Sequence, residues 1–582
     1  MKSPDGGAAA MAARAAHDGS RDGTVSGSAE RIAPEATPRP WWRHYPEGVD
    51  PLYRPRAVCL NRLVAEAFEA HAGALYLDYH GDRMTYGETR EAVGRAAAVL
   101  AGLGIGAGDR VALHLPNCLW HPIFFFGTLS LGAVVVHLSP LDAPAEIAKK
   151  LEDSGARLVI SLTTPEFTGA LAGAVPDGVQ VALLPDAISA AGRDCPWPEG
   201  ALDLAARLEA ETEPRAPRQM APADIALLQY TGGTTGVPKA AVLTHGNIGA
   251  AAQMYCHGSQ AEPSSRPGSA ALIYAPLFHI MGLVSSMMKR TLEGGTLYLR
   301  QRFDPAACLE EIERNRINVM SGVPTAWIAL LRQPDLGSRD LSSLEYAASG
   351  GAPLAPEVYE RVRQATGLRL RGGWGMTETC AAGTQVPASQ PGEKCASIGI
   401  PVPGLDLCIF DPDQPGRDLP QGETGEIAVR GPNVTAGYWN RADLAGTTHV
   451  GEWFLTGDIG YIDEEGLVFL VDRKKDLILS GGFNVYPLMI EKAIHEHPDV
   501  AEAMVIGIPD AYRGESAKAF VVLRPGAEPF TLEDLQAFLA SRLGRHEIPR
   551  ALAFRSDLPR TKVGKGDRRA LRAEEEAARA AS

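Results

Sequence analysis

Cysteine is scarce: eight in 582 residues, with no C-x-x-C pair. Neither a disulfide framework nor a zinc-ligand spacing can be read from them, and reduced thiols of a cytoplasmic protein are expected. Basic charge is also short. The 56 Lys+Arg stand against 70 Asp+Glu, a formal charge of -14, which excludes nucleic-acid binding through a basic face. Any nucleotide must be held by local chemistry, because the overall field repels it. Long apolar runs are missing too. The longest, Ile123–Leu138, has 16 residues with Gly127 and Gly132 inside, whereas a membrane-spanning helix needs about 20. A buried helix running into a strand is expected there. Residues 1–38 contain no aromatic side chain, Arg14 interrupts their one apolar stretch, and five acidic residues against four basic exclude a transit peptide. They read as a disordered leader.

What remains is ordinary globular material, 45% apolar and 22% charged, long enough for more than one domain. From Pro40 onward one grammar repeats. Apolar positions at helical spacing over Arg90–Leu103 stop at glycines, and RVALHL follows; Ala145–Ser154 stops at Gly155 before RLVISL. Helix, glycine stop and buried strand indicate parallel sheets covered by helices. The proline-punctuated stretch Asp194–Pro222 reads as a linker. Beyond Asp472–Gly482 come a helix over Pro487–His497, strands in AMVIGIP and AFVVL, and a helix announced by Thr531 with Asp534 three residues on. The expected fold class is α/β. Residues 39–474 form a large N-terminal domain of doubly wound sheets plus a small β-structure, and 475–582 a small mobile α+β C-terminal domain.

The string YTGGTTGVPKA, Tyr230–Ala240, concentrates phosphate-holding chemistry. Gly232, Gly233 and Gly236 let backbone N–H groups approach an anion, Thr231, Thr234 and Thr235 add hydroxyl donors, and Lys239 adds positive charge. It is not a Walker A loop, because Lys239 follows Pro238 and no Ser or Thr follows the lysine.

Further strings occur in a fixed order: APLFH (Ala275–His279), SGGAPL (Ser349–Leu354), GWGMTET (Gly373–Thr379), SIGIPVPG (Ser397–Gly404), GEIAVRG (Gly425–Gly431), LTGD (Leu455–Asp458), DRKKDLILSGGFNVYP (Asp472–Pro487) and LPRTKVGK (Leu558–Lys565). With the glycine–threonine loop they make the chain, over about residues 40–575, resemble the adenylate-forming enzymes, which include acyl-CoA synthetases, luciferases and the adenylation domains of peptide synthetases.

The resemblance implies roles residue by residue. Thr231–Gly236 and Lys239 bind ATP phosphates. Gly351, Ala352 and Pro353, with Gly373, Trp374, Gly375, Met376 and Thr377, surround AMP. Trp374 stands where the family usually has tyrosine, and either offers a π face to adenine. Asp458 and Arg473 contact ribose; a carboxylate can accept two hydroxyls at once. Glu378 and Thr234 attend Mg2+, a hard cation that suits carboxylate and hydroxyl oxygen. Lys565 bridges the reacting carboxylate and the α-phosphate, which with Thr234, Glu378 and His279 completes the catalytic set. Lys475 is the hinge about which the small domain rotates, after which Ser480, Gly481 and Gly482 line the coenzyme A tunnel. His279 stands between acyl pocket and tunnel, and Met281, Leu283, Val323 and Met376 fall at acyl-pocket positions.

The activity implied is ATP-dependent conversion of a carboxylic acid to an acyl-adenylate, then transfer to coenzyme A. FNVYP, PLFHIMGL and FGTLSLGAVVVHLSPL are most similar to fatty acyl-CoA synthetases, so a medium- or long-chain fatty acid is the first choice. Two departures, Ser139 in the usual Asn-Pro-Leu and Met489 in place of a usual glutamate, bear on the acid more than on the reaction. Dicarboxylic, aryl or amino acids with a separate carrier protein are one alternative, and a non-catalytic acyl-nucleotide-binding protein is another. The latter predicts loss of Lys565, Glu378 or Asp458, and all three are present. Peripheral membrane contact and a homodimer complete the expectations for partners.

Overall fold

The computed structural model describes residues 38–186, 200–231, 239–350, 356–480, 483–510, 512–561 and 566–580. Pro40–Ser582 is one compact unit that carries every sheet; of the other unit, residues 1–39, only Pro38 and Arg39 are described. The leader expected over 1–38 therefore lies almost wholly outside the described residues.

The helix–glycine–strand grammar builds two seven-stranded sheets. In the first, Leu370–Gly372, Tyr346–Ser349, Val319–Gly322, Ala270–Ile273, Thr296–Leu299 and Leu75–Tyr79 lie parallel in that order, and Asp82–Thr85 closes the edge antiparallel. The second runs Leu202–Asp203, Gln180–Leu184, Leu158–Leu162, Arg110–Leu113, Val134–His137 and Ile225–Thr231 in parallel, then turns back antiparallel through Lys239–Thr244. Helix Pro144–Ser154 ends at Gly155, whose left-handed φ of 62° is open to glycine at little cost and turns the chain straight into Leu158–Leu162. The long apolar run behaves as read: helix Trp120–Ser130 passes into strand Val134–His137, with Phe124 and Phe125 fully enclosed. These rings join Leu283, Met287 and Ile427 in the largest buried cluster.

Of the Asp194–Pro222 stretch, expected to be a linker, residues 200–222 are described and are ordered. Asp203 accepts from Ala206 N at 2.9 Å and caps a helix over Leu204–Ala210, after which Arg215 N and Arg218 N donate to the carbonyls of Gly94 and Ser130. The prolines punctuate a segment fastened by its backbone to the neighbouring helices.

A two-stranded pairing of Thr384–Gln385 with Ile400–Pro401 and two five-stranded sheets follow. An antiparallel one holds Asp406–Phe410, Gly425–Arg430, Trp453–Ile462, His449–Val450 and Val468–Arg473. After the turn Lys474–Asp476, Ile478–Ser480 opens a five-stranded sheet with its own core of Ile490, Ile494, Val505, Val521, Leu535 and Leu539. The capping box of Thr531 and Asp534 forms as its spacing requires, starting helix Leu532–Leu539. Among the described residues no helix is long and apolar enough to cross a membrane, and none of the seven described cysteines is in a disulfide.

Candidate active site

In open parallel sheets ligands bind beyond the carboxyl ends of the strands; Thr231 ends one such strand, and Val323 and Gly373 follow directly on two others. The antiparallel hairpin Ile225–Thr231/Lys239–Thr244 brings Thr231 opposite Lys239, so the two ends of the glycine–threonine loop are held side by side. Gly232, Gly233, Thr234, Thr235 and Gly236 lie outside the described residues, as do Gly351, Ala352, Pro353, Gly481, Gly482 and Lys565.

Lys239 extends its ammonium over the ring of Tyr438, 5.9 Å from the centroid, and the Tyr438 hydroxyl donates to Glu378 Oε1 at 2.6 Å. The segment carrying Tyr438 is zipped to the hairpin: Val242 N donates to Gly437 O, Trp439 N to Ala240 O, and Thr435 N to Glu378 O at 2.7 Å. Glu378 is buried in a single turn, Thr377–Thr379. Burial pushes its carboxyl above the usual range, while the Tyr438 bond and the Arg473 cation pull the other way. Nearby charge of positive sign restores the carboxylate in such a place.

A second group centres on Asp458. Strand register sets Asp458 opposite Arg473, and the guanidinium Nε donates to Oδ1 at 2.5 Å. The other oxygen accepts from Trp374 Nε1 at 2.7 Å. Asp458 first of all holds the Arg473 guanidinium firmly charged. Beside them Gly457 N donates to Glu426 Oε1 at 3.0 Å, and Lys474 Nζ pairs with Glu426 Oε2 at 2.8 Å, which fixes the turn before Asp458. Lys475 is exposed, yet desolvation by the surrounding chain and the neighbouring Arg473 cation hold its ammonium below the usual lysine value; Asp476, Asp458 and Glu378 oppose that.

The APLFH string follows strand Ala270–Ile273. Asn117 ties it to the sheets, donating to Ile273 O, Ala275 O and Arg300 O and accepting from Leu277 N at 2.8 Å. His279 accepts from Met281 N at 3.3 Å. A π-helix over Met281–Met288 begins immediately after it; such wide turns are frequent at functional sites. Met281, Val323 and Met376 are half-buried, whereas Leu283 is completely enclosed in the main core. Ser480 is buried at the start of the small domain's sheet, opposite Gly514.

Thus Lys239 and Glu378 are joined through Tyr438, and Trp374, Asp458 and Arg473 form one hydrogen-bonded unit. Tyr438, Glu426 and Asn117 were not singled out from the sequence. Their side chains hydrogen-bond to partners 31 to 183 positions away, so no local spacing announces them. Among the described residues no group of three or more His, Cys, Asp or Glu could hold a metal ion by itself. A lone buried carboxylate fits a Mg2+ ion that keeps most of its coordination for water and phosphate oxygen.

The AMP-binding enzyme family matches residues 64–439, and the AMP-binding enzyme C-terminal domain matches 489–565. The chain is 34% identical over 566 residues to a long-chain-fatty-acid–CoA ligase of Bacillus subtilis, covering 92% of this chain and 98% of the relative. It is 36% identical over 488 residues to a feruloyl-CoA synthase of Amycolatopsis, covering 83% and 92%. ATP-bound MatB from Rhodopseudomonas palustris has a similar structure, with a TM-score of 0.79, 29% identity, and 89% and 99% coverage. The chain belongs to the AMP-binding enzyme family.

Proposed function

We propose that this protein is an AMP-forming acid–CoA ligase acting on a medium- or long-chain fatty acid. In the first step the acid's carboxylate oxygen attacks the α-phosphorus of ATP, giving acyl-adenylate and releasing pyrophosphate. In the second the coenzyme A sulfur attacks the acyl carbon, the acyl–oxygen bond breaks, and AMP leaves with the electron pair. A free carboxylate resists a thiolate because its charge repels the nucleophile and oxide is a poor leaving group. AMP attachment removes both obstacles.

Lys239 and the loop Thr231–Gly236 hold the phosphates. Trp374, Asp458 and Arg473 hold the nucleoside, with Gly351, Ala352, Pro353, Gly373, Gly375 and Thr377 around it. Glu378, with Thr234, would hold a Mg2+ ion that neutralises phosphate charge. Lys565 bridges the reacting groups in the first step and withdraws when residues 475–582 rotate about Lys475, leaving Ser480, Gly481 and Gly482 to admit coenzyme A. His279, Met281, Val323 and Met376 line the acyl chain's path.

The observation that carries this reading is the presence of two groups: a lysine and a buried carboxylate bridged by Tyr438, and an aromatic, carboxylate and guanidinium on one hydrogen-bonded unit. Pyrophosphate release over a panel of acids from eight to eighteen carbons, with ferulate, malonate and anthranilate beside them, tests the acid assignment. Ferulate belongs there because of the 36% identity to a feruloyl-CoA synthase. A maximum on the saturated chains supports the assignment, and a maximum on an aryl acid or dicarboxylate replaces it.

A further inference from the structure

We infer that Trp374 is a positioning residue for the ribose-binding carboxylate: its indole N–H fixes Asp458 so that a nucleoside lying on the indole face meets two free acceptor sites with its ribose diol. This rests on the ATP-binding reading above and adds a specificity device to it.

Trp374 is itself rigidly placed. Its backbone N donates to Thr384 Oγ1 at 3.0 Å, and its carbonyl accepts from Thr384 N at 2.7 Å. One face of the indole lies on the backbone of Gly383, where an added Cβ would stand 2.4 Å from Cε3 and 2.6 Å from Cζ3. Only glycine fits beneath the ring. The indole edge then places Nε1 2.7 Å from Asp458 Oδ2, across 84 positions of sequence.

Asp458 is 3% exposed and Trp374 9%, while the Arg473 side chain is 41% exposed. Of the two donors, the indole is the immobile one, because a long exposed side chain retains rotamer freedom that an enclosed ring lacks. A carboxylate has about four acceptor sites. Among the described residues Trp374 and Arg473 take one on each oxygen, so each oxygen keeps one in reserve there, the number a vicinal diol requires. Adenine platform and ribose acceptor are therefore one rigid body, and recognition of both hydroxyls depends on a donor that a phenyl ring does not supply.

The test is calorimetric titration of ATP, 2′-deoxy-ATP and 3′-deoxy-ATP into the full chain, as wild type, Trp374→Phe, Asp458→Asn and the double variant. It needs no acid, so its outcome is separate from the adenylation reading. Phe keeps the aromatic face and removes the donor. ATP affinity is expected to fall about tenfold in Trp374→Phe, the usual worth of a hydrogen bond to a charged group. Affinity for the deoxy analogues should fall about twofold, so discrimination shrinks. In the Asp458→Asn background the same change should leave discrimination where it is, because Trp374 acts through Asp458. If Trp374→Phe weakens all three nucleotides equally, or none, while its melting temperature stays near wild type, the inference is overturned. Equal wild-type affinity for the three overturns it as well. Should Trp374→Phe fail to fold, Trp374→Tyr carries the comparison under the same criterion.

Discussion

The guanidinium of Arg568 closes on the carboxylate of Glu491, Nη2 to Oε2 at 2.6 Å and Nε to Oε1 at 3.0 Å. The same side chain reaches Asp472 Oδ1 at 3.4 Å and Asp476 Oδ2 at 3.6 Å. Asp472 ends the antiparallel sheet, and its second oxygen accepts from Leu488 N at 2.6 Å on the helix Pro487–His495. One cation three residues beyond Lys565 thus gathers carboxylates from both sides of Lys475. Burial pushes Glu491 and Asp472 above the usual carboxylate range, and the Arg568 cation opposes it in both.

Arg568→Met leaves these buried carboxylates without their main partner. Breaking a buried pair from one side typically costs about 3–5 kcal/mol, and a loss of that size is expected in urea unfolding. Adding Glu491→Leu should recover part of it, because one of the stranded charges is then removed too, while Asp472 stays. A double variant no more stable than Arg568→Met would show that the pair is not coupled.

Lys565→Ala should abolish pyrophosphate exchange yet leave thioester formation from supplied acyl-adenylate largely intact, if, as proposed, this side chain leaves the site when the small domain rotates. A single donor aimed at developing charge is commonly worth about 10²–10³ in rate. Equal loss in both half-reactions contradicts the two-orientation account.

Glu378→Gln keeps an acceptor for the Tyr438 hydroxyl and removes the negative charge. Adenylation should slow by about 10²–10³ and need more Mg2+ to saturate. Tyr438→Phe should act more weakly, removing a hydrogen bond and keeping the charge. An unchanged Mg2+ dependence in Glu378→Gln removes the cation role from this residue.

Enclosed imidazoles make stability fall toward acid pH: burial holds His121 well below its usual value, and three others behave alike. His114 shares a hydrogen bond with Ser161 Oγ at 2.9 Å and His137 with Gln229 Oε1 at 2.9 Å, while neither ring nitrogen of His245 has a partner among the described residues. Burial brings each of the three down to about 4. Their folded values lie below the unfolded value of about 6.5, so the stability they confer is present above that pH and is lost as pH falls toward 4 and through it. Between pH 7 and 5 each should cost about 2 kcal/mol. The urea midpoint should drop over that interval, and His245→Leu should remove part of the drop. An unaltered pH slope in His245→Leu contradicts the assignment.

Local patterns made most of the fold legible. The Gly155 stop, the Thr531/Asp534 box and the passage from Phe124 to Val136 depend on neighbours within a few positions, and each forms as its spacing requires. Residues that support the site from a distance were not legible in the same way. Tyr438 meets Glu378 across 60 positions and Trp374 meets Asp458 across 84, so only the packed sheets bring them together. The helix Leu204–Ala210 was hidden by flanking prolines, although Asp203 stands at its start as a capping residue.

The most direct test of the central claim is mass-spectrometric observation of the intermediate. Full-length protein incubated with ATP, Mg2+ and palmitate, without coenzyme A, should accumulate palmitoyl-adenylate in stoichiometric amount. On addition of coenzyme A that signal should pass into palmitoyl-CoA and AMP. Folded protein that forms no acyl-adenylate from palmitate or any other acid of the panel, or that forms one which coenzyme A leaves untouched, contradicts the account.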